Sequence, residues 1–252
     1  MKKLGIVIFG CLTREKYREQ VEDCYKTWVK DAIDNNCLVR FYVGNIPTNL
    51  DEGLKELCVD LQVGDGYISA TMKQWRGFEH MKNSLEQCEF YFTCGTDTFL
   101  NVRNALKELA NFNSEKELCI GGGYGEEPVE DFVVRYFSGG GGIFLTNKAL
   151  SSILEDIPNF LSLWMSGGAR IVLFTDEEGN RMRKNILGAC DLQLGILCHK
   201  LGIECISVGS LKLIGDGTHN REGANKETLI SCHLMKHDDF YDYWNFLHRH
   251  NA

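Results

Sequence analysis

The run Tyr91-Phe92-Thr93-Cys94-Gly95-Thr96-Asp97-Thr98-Phe99-Leu100 decides how this chain is read. The apolar, aromatic residues from Phe90 to Thr93 have the make-up of a buried strand, which stops at Gly95 and delivers one carboxylate, Asp97, just beyond its end. Asn101 then opens a stretch in which Val102, Ala105, Leu106 and Leu109 share one helical face. Open α/β sheets bind ligands at the carboxyl ends of their strands. A carboxylate there can take a hard divalent cation and, through it, a diphosphate. Gly-Thr-Asp-Thr is equally ordinary turn chemistry, so both readings stand on this segment alone.

Upstream, strand and helix patterns alternate. Leu4–Phe9 and Leu38–Val43 read as strands, Arg14–Asp31 and Thr71–Cys88 as helices, Leu54–Cys58 as a short helix and Gly64–Tyr67 as a loop. After the Asp97 strand come a helix at Asn101–Phe112 and a strand at Leu118–Ile120. This βαβα rhythm predicts an α/β fold in one domain, its mostly parallel central sheet flanked by helices. Residues 1–120 then form a regular half of the chain, and 121–252 a less regular one. In that second half, Gly121–Gly125 reads as a flexible loop, Phe132–Phe137 as a strand, Asn147–Leu161 as a helix, and the charged stretch Asp176–Lys184 as a mobile loop. Cys190–Leu201 reads as a helix and Glu204–Val208 as a strand.

Composition narrows the function. The chain has 252 residues, 44% hydrophobic and 25% charged, enough for a sizeable core in a soluble globular protein. A net charge of −8 argues against nucleic acid as the main partner, because phosphate backbones demand basic surface. Leu4–Gly10 is too short for a membrane span and runs straight into Thr13-Arg14-Glu15-Lys16, so no targeting or membrane segment is read. Eleven cysteines, odd in number and without a C-x-x-C pair, indicate neither a disulfide framework nor a zinc site. Cys94, Cys198 and Cys205 in particular read as small hydrophobes in apolar surroundings. A reducing, cytoplasmic location follows as the expectation.

The glycine runs do not make a dinucleotide fingerprint, which needs its glycines between a strand and a helix of one βαβ unit. Gly139–Gly142 leads instead into Ile143-Phe144-Leu145, and Gly10-Cys11-Leu12-Thr13 lacks the further glycines. The four-glycine run is either a series of tight turns or a place where backbone lies against a bulky ligand such as a sugar. Asp191, at a helix start, is open to a capping role or to that of a general base. Trp164, Tyr241 and Trp244 are open to sugar stacking or to core packing.

Taken in order, the motifs resemble the Fringe and β1,3-glycosyltransferase group, glycosyltransferase family 31. Tyr25-Lys26-Thr27-Trp28 is similar to its (K/R)-T-W, and Thr71-Met72-Lys73 to a T-x-K. Gly95-Thr96-Asp97-Thr98-Phe99 stands where the family has D-D-D-T-(F/Y). Ser138–Leu145 is similar to G-G-A-G-(Y/F)-(V/I)-(L/I), Cys190–Gly195 to (E/D)-D-V-x-x-G, and Ser231-Cys232-His233 to the late metal-binding His. The resemblance implies a Rossmann-like GT-A fold, a UDP-sugar donor, a glycan or glycoprotein acceptor and Mn²⁺ (or Mg²⁺) as cofactor. It implies Asp97 and His233 as metal ligands and Asp191 as the base of an inverting transfer. Thr13, Arg14, Lys73, Gly95, Thr96, Gly140, Gly141 and Gly142 would line the donor, and Asp176 and Trp244 would meet the acceptor. Two of the three acidic positions of the triplet are Gly95 and Thr96 here, which leaves a catalytically degenerate binding module as the alternative. A metal-dependent phosphoesterase or nucleotidyltransferase is a third reading, which would want a second carboxylate near Asp97.

Overall fold

The computed structural model describes residues 1–66, 69–129, 132–166, 171–175, 181–185, 189–209, 211–212, 227–233 and 235–249. The first half runs β1 (Lys2–Phe9), α1 (Glu15–Lys26), α2 (Trp28–Asp34), β2 (Leu38–Val43), α3 (Glu52–Leu57), β3 (Cys58–Asp60), α4 (Ser69–Ser84), β4 (Cys88–Gly95), β5 (Phe99–Leu100), α5 (Val102–Leu109) and β6 (Leu118–Gly121). Then follow β7 (Tyr124–Val129), β8 (Phe132–Phe137), a 3-10 turn at Gly139–Gly141, β9 (Ile143–Thr146), α6 (Asn147–Ser166), β10 (Ile171–Thr175) and β11 (Arg181–Asn185). The chain closes with α7 (Cys190–Leu201), β12 (Glu204–Ser207), β13 (Leu211–Lys212), β14 (Ser231–Cys232) and α8 (His237–Arg249).

A seven-stranded sheet in the order β12-β6-β9-β4-β1-β2-β3 forms the middle layer. Only β9 runs antiparallel to its neighbours within it. The inner strands β1, β4, β6 and β9 read as largely apolar runs because both their faces are covered. On β1 the side chains of Leu4, Ile6 and Ile8 enter one core with α1, α2, α5 and α8, while Val7 enters the other with α4, α6 and α7. On β4, Phe90, Phe92 and Cys94 take the first side and Tyr91 the second. This is the period of two expected of a strand. No helix among the described residues is long and apolar enough to cross a membrane.

The sheet order reverses between β1 and β4, since β2 and β3 extend one way and β4 the other. Parallel pairing sets Phe9 opposite Gly95, so the loops after both strands leave the same edge side by side. That is the topological switch point of an open α/β sheet, where ligands bind.

Three expectations change. The helix expected over Arg14–Asp31 is two helices, broken at Thr27, whose hydroxyl donates to the Asp23 carbonyl at 2.6 Å and whose backbone leaves helical space. The loop expected from Gly121 is in part a strand, with Tyr124–Val129 pairing antiparallel with Phe132–Phe137. Within the charged stretch 176–184, Arg181–Lys184 belong to β11, paired with β10, while 176–180, with Asp176, lie outside the described residues.

Candidate functional site

At the amino-terminal side of the crevice, Lys73 and Asp65 form an ion pair of 2.5 Å, with side chains only 4% and 12% exposed. The Lys73 ammonium also donates to the Gly10 carbonyl at 2.8 Å. Asp65 accepts from the Thr13 hydroxyl at 2.7 Å and from the Gly44 amide at 3.3 Å. The Lys73–Asp65 pair therefore ties together the loops after β1, β2 and β3. Burial pushes the Asp65 carboxyl up, but hydrogen bonds from Lys73 and Thr13, the Lys73 charge and the Gly44 amide outweigh it and hold the group below its ordinary value. A cavity of about 250 Å³ opens here, walled by Gly10, Arg14, Tyr17, Asp65, Lys73 and Asp97 among others. With Lys73 committed to Asp65, the exposed Arg14 is the cation this wall offers to an anionic ligand.

Two consequences are measurable. Lys73→Met leaves a buried carboxylate without its partner and is expected to cost about 3–5 kcal/mol in urea unfolding, part of which returns when Asp65→Asn is added. Because its folded-state pKa is depressed, Asp65 contributes stability that is complete above the unfolded value of about 3.9 and is lost as pH falls through the lower folded value. Asp65→Asn should therefore flatten the stability curve in that acidic window, as read by urea midpoints against pH.

On the other side of the crevice the glycine run makes a tight turn that gathers the remaining candidates. The Gly139 amide donates to Asp191 Oδ2 at 3.0 Å, and Asp191 Oδ1 accepts from the Leu192 amide at 2.9 Å. Thr98 Oγ1 donates to the Gly140 carbonyl at 2.8 Å, and the Ser231 hydroxyl to that of Gly141. A Cβ at Gly140 would lie 2.2 Å from His233 Nδ1, so the imidazole ring rests directly on the bare backbone. Gly142 has φ +80°, and a Cβ there would meet the Phe92 ring at 2.0 Å.

His233 reaches this turn because β14 pairs antiparallel with β5, Cys232 opposite Phe99, and the Met235 amide donates to the Asp97 carbonyl at 3.0 Å. His233 Nε2 then lies 3.3 Å from Asp97 Oδ2. Two ligands in adjacent positions about 2.2 Å from an ion lie about 3 Å apart, so this oxygen–nitrogen pair fits one divalent cation such as Mn²⁺. Among the described residues no third His, Cys, Asp or Glu atom joins the pair, so the remaining coordination would fall to ligand and water. Gly140→Ala is expected to displace His233 and weaken Mn²⁺ binding by about 10–100-fold, without altering a ligand, as read by Mn²⁺ titration.

Residues far apart in sequence are thus brought together. Asp191 and His233 touch the turn, Asp97 reaches it through His233, and Thr13, Arg14 and Lys73 lie across the switch point from it. Thr96 is buried, its hydroxyl 3.2 Å from Gln20 Oε1. A Cβ at Gly95 would stand 3.0 Å from Asp97 Oδ1, so a longer residue there would crowd that carboxylate. Trp244 lies elsewhere. It packs on the first core from α8, its ring stacked 4.4 Å from that of His248, and it does not wall the cavity.

The chain matches no protein-family model and no curated protein sequence. Its likeness is to solved structures. The glycosyltransferase GlyE of Streptococcus pneumoniae superposes with a TM-score of 0.52 at 12% identity over 99% of this chain and 63% of its own. The galactosyltransferase LgtC, solved with donor and acceptor sugar analogues, gives 0.51 at 11% identity over 96% of this chain and 95% of its own. This chain has the GT-A fold. It spans less than two thirds of GlyE, and identities this low speak to the fold alone.

Within that GT-A frame, several residues that hold the site were missed in the sequence. Asp65 reads in the sequence only as part of the Gly64–Tyr67 loop, and its role appears only once α4 brings Lys73 against it. Ser231 and Thr98 were visible beside His233 and Asp97, but nothing marked them as the anchors of the glycine turn. Gln193, fully buried, accepts from Trp75 Nε1 at 3.3 Å and donates to Thr71 Oγ1 at 3.1 Å, which fixes α7 and its Asp191 against α4.

Proposed function

We propose that the protein is an inverting glycosyltransferase that moves a sugar from a UDP-sugar to an acceptor hydroxyl on a glycan or glycoprotein, with Mn²⁺ or Mg²⁺ as cofactor. The observation that carries this reading is the Gly139–Gly142 turn, which sets His233, paired with Asp97, and the Asp191 carboxylate against one stretch of side-chain-free backbone. The ordered resemblance to the Fringe and β1,3-glycosyltransferase group and the fold shared with GlyE and LgtC support it. All eleven cysteines are free, which supports a reducing, cytoplasmic location.

In this reading the nucleoside diphosphate enters the cavity between the loops after β1 and β4, where Arg14 meets its negative charge. Asp97 and His233 would hold a divalent cation, which would supply charge neutralisation for the departing UDP. The glycine turn admits the donor sugar where side chains would exclude it. Each Asp191 oxygen accepts one amide hydrogen and keeps a lone pair for another donor. The carboxylate thus takes the proton of the acceptor hydroxyl as that oxygen attacks the anomeric carbon. The new bond forms on the face opposite the breaking one, and configuration inverts.

The test is product analysis with a panel of UDP-sugars and simple glycosides. Release of UDP with a glycoside of inverted anomeric configuration by NMR is the expected result. Retained configuration would remove the role given to Asp191, and release of phosphate or pyrophosphate would point to a phosphoesterase or nucleotidyltransferase. Gly95 and Thr96 in place of carboxylates favour one second reading, a binding module without turnover. UDP binding with no transfer or hydrolysis under any condition would select it.

A further inference from the structure

Among the described residues outside this site, one group of three potential metal ligands stands out. Cys119 on β6, Cys198 on α7 and Cys205 on β12 bring their sulfur atoms within 4.8 Å of one another. Parallel pairing sets Cys205 directly opposite Cys119, and α7 lowers Cys198 onto the pair from the face it covers. Cys119 and Cys198 are buried, whereas Cys205 is exposed at the edge strand, so the triangle is open on one side only.

We propose that Cys119, Cys198 and Cys205 form a three-thiolate site for a soft divalent cation of the zinc class, with its fourth position open to solvent beside Cys205. A zinc ion holds thiolates at about 2.3 Å, which places the sulfurs about 3.8 Å apart. The observed triangle closes to that size with small side-chain movements. Three sulfur ligands select thiophilic ions over Mg²⁺ or Mn²⁺, so this site and the Asp97–His233 pair do not compete for one metal. The clamp would fasten α7 to the sheet edge. Asp191 and Cys198 lie seven residues apart on that helix, two turns along the same side, so the metal would steady the far end of the element that carries Asp191.

The proposal is independent of the transferase reading, and its test does not use activity. The reduced full-length chain is titrated with Cd²⁺, whose thiolate complexes absorb in the ultraviolet through sulfur-to-metal charge transfer. Absorbance that saturates at one Cd²⁺ per chain is expected. It should vanish in Cys205→Ser, a surface change that leaves both cores intact, and in Cys198→Ser, while Cys58→Ser and Asp97→Ala keep it. Absence of the charge-transfer band in the folded wild-type chain, or a band of full size in Cys205→Ser, would overturn the site.

Discussion

Asp97→Ala is expected to lower sugar transfer by about 10³-fold or more and to abolish Mn²⁺-dependent UDP binding, with little loss of stability. The side chain contributes its carboxylate to the pair with His233, 3.3 Å away. What Asp97 gives the fold passes through its backbone, whose carbonyl accepts from Met235, and alanine keeps that bond. A loss of activity in this variant therefore reports chemistry rather than unfolding. Steady-state UDP release across a Mn²⁺ titration, with circular dichroism as the control, measures it. Transfer within tenfold of wild type would mean that the diphosphate is neutralised by other groups.

Asp191→Asn should separate binding from chemistry. Asparagine can accept from only one of the two amides that Asp191 satisfies, those of Gly139 and Leu192, but it keeps the shape of the side chain against the turn. Donor affinity is then retained, while kcat falls by about 10²–10⁴-fold, the usual worth of a positioned general base. Paired measurements of UDP affinity by calorimetry and of kcat distinguish this from a collapsed site. Unaltered turnover would remove the assigned base and shift attention to other groups near the turn.

The sheet was legible because its strands are buried on both faces, and Leu4–Phe9 and Phe90–Cys94 carry the unbroken apolar runs that such strands require. The short helix α5 was legible through the Asn101 cap, which accepts from the Asn104 amide at 3.2 Å. Local pattern failed where long-range contact decides. Tyr124–Val129 alternates exposed and inward residues weakly and becomes a strand only against Phe132–Phe137. Thr27 looked like one more helical position, and its hydroxyl bond to Asp23 breaks the helix. In the site, Asp97 and Asp191 announced themselves at element ends, where chemistry is usual. Lys73 was legible as a residue of interest but not in its partner, since a lysine aimed at phosphate and one paired with a buried aspartate look alike in sequence. The cysteine triangle was hidden for the same reason: its members come from three elements and share no spacing.

In the proposed reaction the crevice between β1 and β4 binds a nucleoside diphosphate through a metal held by Asp97 and His233. Thermal unfolding with UDP, in Mn²⁺ and then in excess chelator, tests it most directly. UDP at about 100 times its dissociation constant adds ~2.7 kcal/mol, which raises the midpoint of a chain this size by about 5–10 °C. That shift is expected only when UDP and Mn²⁺ are both present, and it should be lost in Asp97→Ala. An equal shift in chelator, or none with any nucleotide and metal together, would contradict it.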